Sequence, residues 1–376
     1  MRRGTWRAAL LAFLVSRAAF FAMIVLVSNI QFESKEYNGQ IWKTWIEIHS
    51  GAIGPLVAKT VMTGDAWWYR SVAVDGYERT PFVAKQANWA FFPMFPWIVR
   101  AARITGDYAY DATIVSNLAF LGALLLLGAV ATRAGIAADD AERAIWYLAL
   151  FPTSYFFSMP LTESLFLLLS LGAVYAALRD RWWAAGLLGG LAAVTRVNGV
   201  LLLVPLAIFC WQRARRQLPW LLLIPAGTGA FMFMLHRITG NALAFRDVQS
   251  QWGRTVSPPW SAFFEYFRDP STVSVPWNFV LFNCLVALAL LATGIYLLIR
   301  REWAFGAYAL VATLLPLISG SLQSMARYAL VVFPFFLLLG MLGRRPAVDR
   351  VILAVSAALF GWFIALMALK VDFALA

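Results

Sequence analysis

The side chains of this chain best suited to chemistry are two carboxylates and two arginines set among aromatic and apolar neighbours. Asp65 lies in Gly64-Asp65-Ala66-Trp67-Trp68-Tyr69, and Glu163 lies in Thr162-Glu163-Ser164 at the head of an apolar run. Arg196 interrupts an apolar stretch at Val194-Thr195-Arg196-Val197-Asn198-Gly199, and Arg327 closes Ser321-Leu322-Gln323-Ser324-Met325-Ala326-Arg327-Tyr328. A carboxylate can take the proton from a hydroxyl nucleophile. A guanidinium suits phosphate because it can make two charge-assisted hydrogen bonds in one plane. Donors aimed at a leaving phosphate stabilise the charge that develops there. A base, one or two arginines and an aromatic wall together suit transfer of a sugar from a phosphate carrier, with Asp65 as the base, Arg327 and Arg196 contacting the carrier phosphate and Glu163 in a supporting role.

Further polar and aromatic groups could serve that site. They are Trp67, Trp68 and Tyr69 beside Asp65, then Ser324 and Tyr328 beside Arg327, then Gln251, Trp252 and Arg254 in Gln251-Trp252-Gly253-Arg254. Plainer roles are available for each. Asp65 can be a helix N-cap or a solvated loop carboxylate, and Glu163 can cap the helix it opens, where the dipole favours an acid. Arg327 and the Trp residues can be interface anchors. Arg17, inside the first apolar run, can snorkel or pair with a carboxylate. Asp139-Asp140 resembles an acidic metal pair but reads as a solvated turn.

The elements that must position these groups are membrane helices. Of 376 residues, 61% are hydrophobic and 13% charged, and mean hydropathy is +0.71. Soluble domains are about half apolar and about a quarter charged, so this chain must hide apolar surface in lipid. Seventeen Trp and 29 Phe suit aromatic belts at two interfaces. Net charge is +12, but the arginines fall in short pairs between apolar runs. That is the pattern of cytoplasmic turns rather than of a nucleic-acid face.

Apolar runs predict spans at Ala8–Ile30, Tyr110–Ala131, Ala144–Met159, Thr162–Leu178, Trp182–Val194, Asn198–Trp211, Trp220–Leu235, Phe279–Ile299, Trp303–Ile318, Tyr328–Leu342 and Val351–Leu369. These number about eleven, some shorter than the ~20 residues of an unbroken span. Met1-Arg2-Arg3 followed by Ala8–Ile30 reads as an uncleaved first span rather than a signal peptide. With the N-terminus inside, every turn assigned to the cytoplasm holds arginine. Asn88–Ile104, with Pro93 and Pro96, would reverse that order if it crossed, so it reads as interfacial or re-entrant. Two long segments then lie outside. Residues 31–87 include an amphipathic stretch from Ile41 to Ile48, expected as a helix on the membrane surface; residues 237–278 are polar and aromatic. Arg196 should sit within the membrane thickness, since arms of about 13 residues reach only about 20 Å against a core near 30 Å.

The expected fold is therefore an all-α polytopic membrane protein, with residues 1–376 forming a single membrane domain. No metal is implied. His49 and His236 are the only histidines, Cys210 and Cys284 have no metal-ligand spacing, and only a weakly held divalent ion at a phosphate stays open.

At these motifs the chain resembles the PIG-V type mannosyltransferases, which include the enzyme adding the second mannose of GPI and its bacterial relatives. Gly64 to Tyr69, Asp75-Gly76-Tyr77 and Ala90-Phe91-Phe92-Pro93-Met94-Phe95-Pro96 resemble that family's first outer loop. Phe151-Pro152-Thr153-Ser154 through Phe166, Thr195 to Gly199, Thr239-Gly240-Asn241 through Arg254, and Arg327-Tyr328 before Phe333-Pro334 follow in the same order. The family belongs to the GT-C class of polytopic, inverting glycosyltransferases. The resemblance implies a hexose, mannose in the family, carried on a polyprenyl phosphate, with no nucleotide sugar and no cofactor. It also implies a catalytic Asp in the first outer loop, a role that maps onto Asp65. Gly64 stands where the eukaryotic pattern has Trp, and the short Arg-rich turns suggest a prokaryotic plasma membrane with the site on its extracytoplasmic face. The acceptor stays open among lipid, glycan and protein. Two rivals of other classes are a transporter or flippase of a lipid-linked sugar, for which the expected internal repeat is not visible, and a membrane scaffold.

Overall fold

Apolar stretches in lipid must satisfy their own backbone hydrogen bonds, and helices do so within one segment. The computed structural model describes residues 3–28, 30–37, 40–48, 52–268 and 279–369. Its helices are α1 (Arg3–Ser28), α2 (Ile53–Val61), α3 (Ala66–Val74), α4 (Met94–Ala102), α5 (Tyr108–Arg133), α6 (Ala138–Ala149), α7 (Glu163–Leu178), α8 (Trp182–Thr195) and α9 (Leu203–Arg213). They continue as α10 (Leu223–Thr239), α11 (Ala244–Asp247), α12 (Ser261–Arg268), α13 (Phe279–Ile299), α14 (Trp303–Leu317), α15 (Met325–Ala329), α16 (Phe333–Leu342) and α17 (Pro346–Ala368). Among the described residues, five helical stretches are long and apolar enough to cross a membrane: Gly4–Val27, Tyr108–Arg133, Arg215–Thr239, Phe279–Ile299 and Pro346–Ala368. The chain is a multi-pass helical membrane protein. The other six expected spans coincide with helices that are short or broken, and these pack against the long ones. Leu14, Leu118, Phe233, Leu285 and Val351 on the long helices point outward, as lipid-facing residues must.

One expected helix is a strand. The stretch from Ile41 to Ile48 belongs to β2 (Gln40–Ile48), which pairs antiparallel with β1 (Ile30–Tyr37), Tyr37 opposite Gln40 and Ile30 opposite Ile48. Ile, Trp and Thr in this stretch favour a pleated strand. Asn38-Gly39, between the two strands in sequence, is the dipeptide most favoured in two-residue hairpin loops. Together they outweigh an apolar spacing that also suits a helix. Asn88–Ile104 forms a 3₁₀ turn at Asn88–Ala90 followed by α4, whose nine residues extend about 14 Å, too short to cross. Of the segment 237–278, residues 269–278 lie outside the described residues.

Three of the arginine-bearing turns, those after α5, α7 and α16, pack together. Arg133 Nε donates to Leu178 O (3.0 Å) and Arg143 Nε to Gly340 O (3.0 Å). Asp140 differs from its expected place in a solvated turn: it is 1% exposed and binds both Arg143 and Arg344. Its position on the buried face of α6, opposite the turn into α17, explains this. Burial pushes its carboxyl up, but the hydrogen bonds from Arg344 and Arg143 outweigh that and hold it below the ordinary range.

Close helix approach here depends on small residues. Gly186 and Gly190 of α8 face the backbone of the segment entering α10, and a Cβ on Gly190 would lie 2.6 Å from Leu223 O. Gly190→Leu must push the two helices apart, and overpacking of this kind costs about 1–3 kcal/mol. A lowered apparent melting temperature in detergent is expected, whereas Gly229→Ala, with open space around its Cβ position, should leave it unchanged.

Candidate functional site

Four breaks in helical structure supply the charged groups. α6 stops at Ala149, and a 3₁₀ turn at Ser154–Ser158 precedes α7. Non-helical backbone at membrane depth is tolerated where protein buries and satisfies it, and Arg17 does much of that satisfying. Its Nη1 donates to Ser154 O (3.1 Å) and Ser158 Oγ (2.9 Å), and its Nη2 to Ser154 Oγ (3.0 Å) and Ala149 O (3.4 Å). The guanidinium lies 4.8 Å from the Phe120 ring centroid. Arg17 therefore neither snorkels nor pairs with a carboxylate; it is 4% exposed and bridges the last carbonyl of α6, where the helix dipole favours a cation, to the 3₁₀ turn that follows. Thr153 Oγ1 donates to Ala326 O (2.8 Å), joining this break to the short helix α15.

Glu163 is the first residue of α7, Arg196 the residue that ends α8, Asp65 the residue before α3, and Arg327 lies within the five-residue α15. These breaks meet. Arg327 Nε donates to Glu163 Oε1 (2.6 Å), and its Nη1 to Asp65 Oδ2 (2.8 Å). Arg196 Nη1 donates to the same Glu163 Oε1 (2.5 Å) and to Thr162 Oγ1 (3.3 Å). Arg327 Cζ stands 4.8 Å from the Phe156 ring centroid, and Arg196 Cζ 5.7 Å from that of Tyr328. Two carboxylates and two guanidiniums cancel in charge. Glu163 at a helix N-terminus and Arg196 at a C-terminus also each complement a dipole.

Asp65 takes the N-cap position of α3 but makes no capping bond; its side chain turns to Arg327 instead. Glu163, likewise at a helix start, is 0% exposed and spends its Oε1 on the two arginines. The capping roles open to both residues are thus replaced by ion pairs. Of the four side chains, that of Asp65 is the accessible one, 38% exposed against 10% for Arg327.

Asp65, Tyr69, Arg196, Arg327 and Tyr328 line one side of a cavity of about 320 Å³. Phe91, Phe92, Phe245 and Trp252 give it an aromatic wall, and Gln249 and Arg254 face it from the segment after α10. Trp68 stacks on Phe91 (5.7 Å between centroids) and meets Trp252 edge-on (5.9 Å), supporting the wall from behind. Tyr69 Oη lies 3.5 Å from Thr162 Oγ1; burial pushes its phenol up to about 12, so it serves as a neutral hydrogen-bonding group. Arg254 Nη1 donates to Gln249 Oε1 (3.2 Å) and has no carboxylate partner among the described residues. Arg246, also on the rim, is taken by Asp247 (2.7 Å). Asn241 first, and then Arg246, hold the Asp247 carboxyl below its ordinary range.

Neither a protein-family model nor a curated protein sequence matches the chain.

Three of the expected site residues lie elsewhere. Trp67 is exposed on the opposite face of α3 and lines a second cleft. Gln251 is not part of the cavity lining; its backbone carbonyl accepts from Gln86 Nε2 (3.1 Å). Ser324 is buried in a left-handed turn (φ 65°) that starts α15. Conversely, Asn198, Phe245 and Gln249 belong to the cavity wall. The sequence signal for Asn198 is its place two residues past Arg196 in a polar break; Phe245 and Gln249 carry none beyond lying between two polar motifs. Two buried polar atoms at or beneath the cavity, Asn198 Nδ2 and Glu163 Oε2, have no hydrogen-bond partner. Among the described residues no group of three or more His, Cys, Asp or Glu is placed to hold a metal ion.

Proposed function

We propose that the chain is a GT-C type glycosyltransferase that moves a hexose, mannose by its resemblance to the PIG-V family, from a polyprenyl phosphate to an extracytoplasmic acceptor. The observation that carries this reading is the Asp65 carboxylate, accessible at an aromatic cavity and held from below by Arg327. In the reaction the acceptor hydroxyl oxygen bonds to the sugar C1 while the C1–O bond to the phosphate breaks with inversion. The electron pair leaves with the phosphate, and the hydroxyl proton passes to Asp65.

The geometry favours a division of labour among the arginines. Arg327 and Arg196 are committed to carboxylates, so Arg327 positions Asp65 and Arg196 positions Glu163. Arg254 is better suited to receive the donor phosphate, because no acid neutralises it and a phosphate favours such a guanidinium. Trp252 and Phe91 offer flat faces to a sugar ring. The arginine-bearing turns are read as cytoplasmic by the positive-inside rule, and this supports a cavity open to the extracytoplasmic side of a plasma membrane, prokaryotic by its short turns. The short helices complete about eleven crossings around it.

The test is transfer of radiolabelled mannose from polyprenyl-phosphate-mannose by purified protein in lipid, with a membrane extract supplying acceptors. Incorporation above a protein-free control is expected. If mannose and several other hexoses all fail, the reading is wrong and a transporter of lipid-linked sugar takes its place, since broken helices around a buried charged site also serve transport.

A further inference from the structure

The nine-residue helix α3 has two working faces. Tyr69 faces the charged cavity, while Trp67, Arg70 and Val74 turn to a separate cleft of about 980 Å³ between α2, α3, α4 and the start of α5. Four cations line that cleft: Lys59, Arg70, Arg100 and Arg103. All are exposed, and none of them forms an ion pair among the described residues. Its two acids are already engaged. Asp107 accepts from the Ala109 and Tyr110 amides as the N-cap of α5, and Asp111 accepts from Thr105 and Gly106. The lining therefore carries a net positive charge, four cations against two carboxylates, and neither carboxylate is paired with one of the cations.

Two independent features point to a ligand there. Tyr108 lines the cleft, yet its hydroxyl is buried with no hydrogen-bond partner, which is costly unless something fills the site. Arg103 ends α4 in the left-handed region (φ 37°), a conformation that strains a non-glycine residue and is tolerated most readily where the side chain has a task. The cleft also exposes Trp67 and Val74. Tryptophans and apolar residues beside cations mark the level of lipid headgroups.

We propose that this cleft binds the phosphate headgroup of an anionic membrane lipid, with Arg70, Arg100 and Arg103 contacting the phosphate and the buried Tyr108 hydroxyl turning outward to donate to one of its oxygens. The bound lipid braces α2, α3 and α4 against α5. It thereby touches the helix whose first turn follows Asp65, but the proposal stands whether or not the chain transfers sugar.

Native mass spectrometry of the full-length protein, released from micelles with phosphatidylglycerol or phosphatidylcholine of the same acyl chains, tests it. Wild type should retain phosphatidylglycerol preferentially. Each cation is worth about fivefold near an anionic headgroup, so Arg70→Gln/Arg100→Gln/Arg103→Gln should lower that preference about a hundredfold. Tyr108→Phe, which alters one buried hydroxyl and no charge, should lower it about tenfold and guards against misfolding of the triple variant. Equal retention of both lipids by wild type, or an unchanged preference in both variants, overturns the proposal. Displacement by inorganic phosphate at equal phosphate concentration also overturns it, since the site then reads a free anion rather than a lipid.

Discussion

Asp65→Asn is expected to lower sugar transfer by about 10²–10⁴, the usual contribution of a positioned general base, while leaving the protein folded. The two halves of this expectation have different origins. Asn keeps the shape of Asp and an oxygen for Arg327 Nη1, so the 2.8 Å contact that orients the side chain can persist as a weaker neutral bond. Arg327 and Arg196 then share the one charge of Glu163, but with 38% of the Asp65 side chain exposed the lost pair is partly screened by solvent and costs less than the buried one. The amide, however, cannot accept the proton of the attacking hydroxyl. Transfer from polyprenyl-phosphate-mannose, measured beside an unchanged melting temperature, reads both effects. Wild-type turnover in this variant would remove Asp65 from the chemistry and leave the pair with Arg327 as a structural strut.

The distribution of charge made much of this arrangement legible in the sequence. Arg196 and Glu163 stand in apolar surroundings where an isolated ion is costly, so each had to find a partner, and their meeting required only that their helix ends coincide. Asp65 and Arg327 were legible for a related reason, as charged residues at the edges of apolar runs. The direction of side chains was not legible. On α3, Trp67 and Trp68 are adjacent in sequence, but helical rotation sends one to each face; only Trp68 supports the cavity wall. Arg17 shows the other limit. Nothing local reveals that its partners would be the carbonyls of a helix broken more than a hundred residues later. Most of the helices follow from apolar run lengths, whereas the hairpin does not, because Ile41 to Ile48 has a spacing that suits both periods and strand propensity decides it.

Glu163→Gln is expected to be the most destabilising single change at the site, costing about 3–5 kcal/mol, as removal of one partner from a buried ion pair does. Glu163 is 0% exposed, and its Oε1 accepts from both Arg327 and Arg196. Neutralising it leaves two largely buried guanidiniums sharing the one charge of Asp65. The cost should therefore lie in uncompensated charge rather than in lost packing, since Gln is nearly isosteric. That origin is testable by a second substitution. Arg196→Gln on the Glu163→Gln background restores equal numbers of positive and negative groups, and the double variant should be more stable than the sum of the single effects by at least about 1 kcal/mol, within the range seen for directly coupled residues. Unfolding by sodium dodecyl sulfate in mixed micelles measures all four proteins. Recovery of stability need not bring recovery of transfer: with Glu163 neutral, Arg327 loses its charged anchor on the side away from Asp65, and the base loses its fixed orientation. A double variant that is stable but inactive would separate the scaffolding role of the buried pair from the chemistry above it. Strictly additive destabilisation would instead show that the four groups do not share one charge balance.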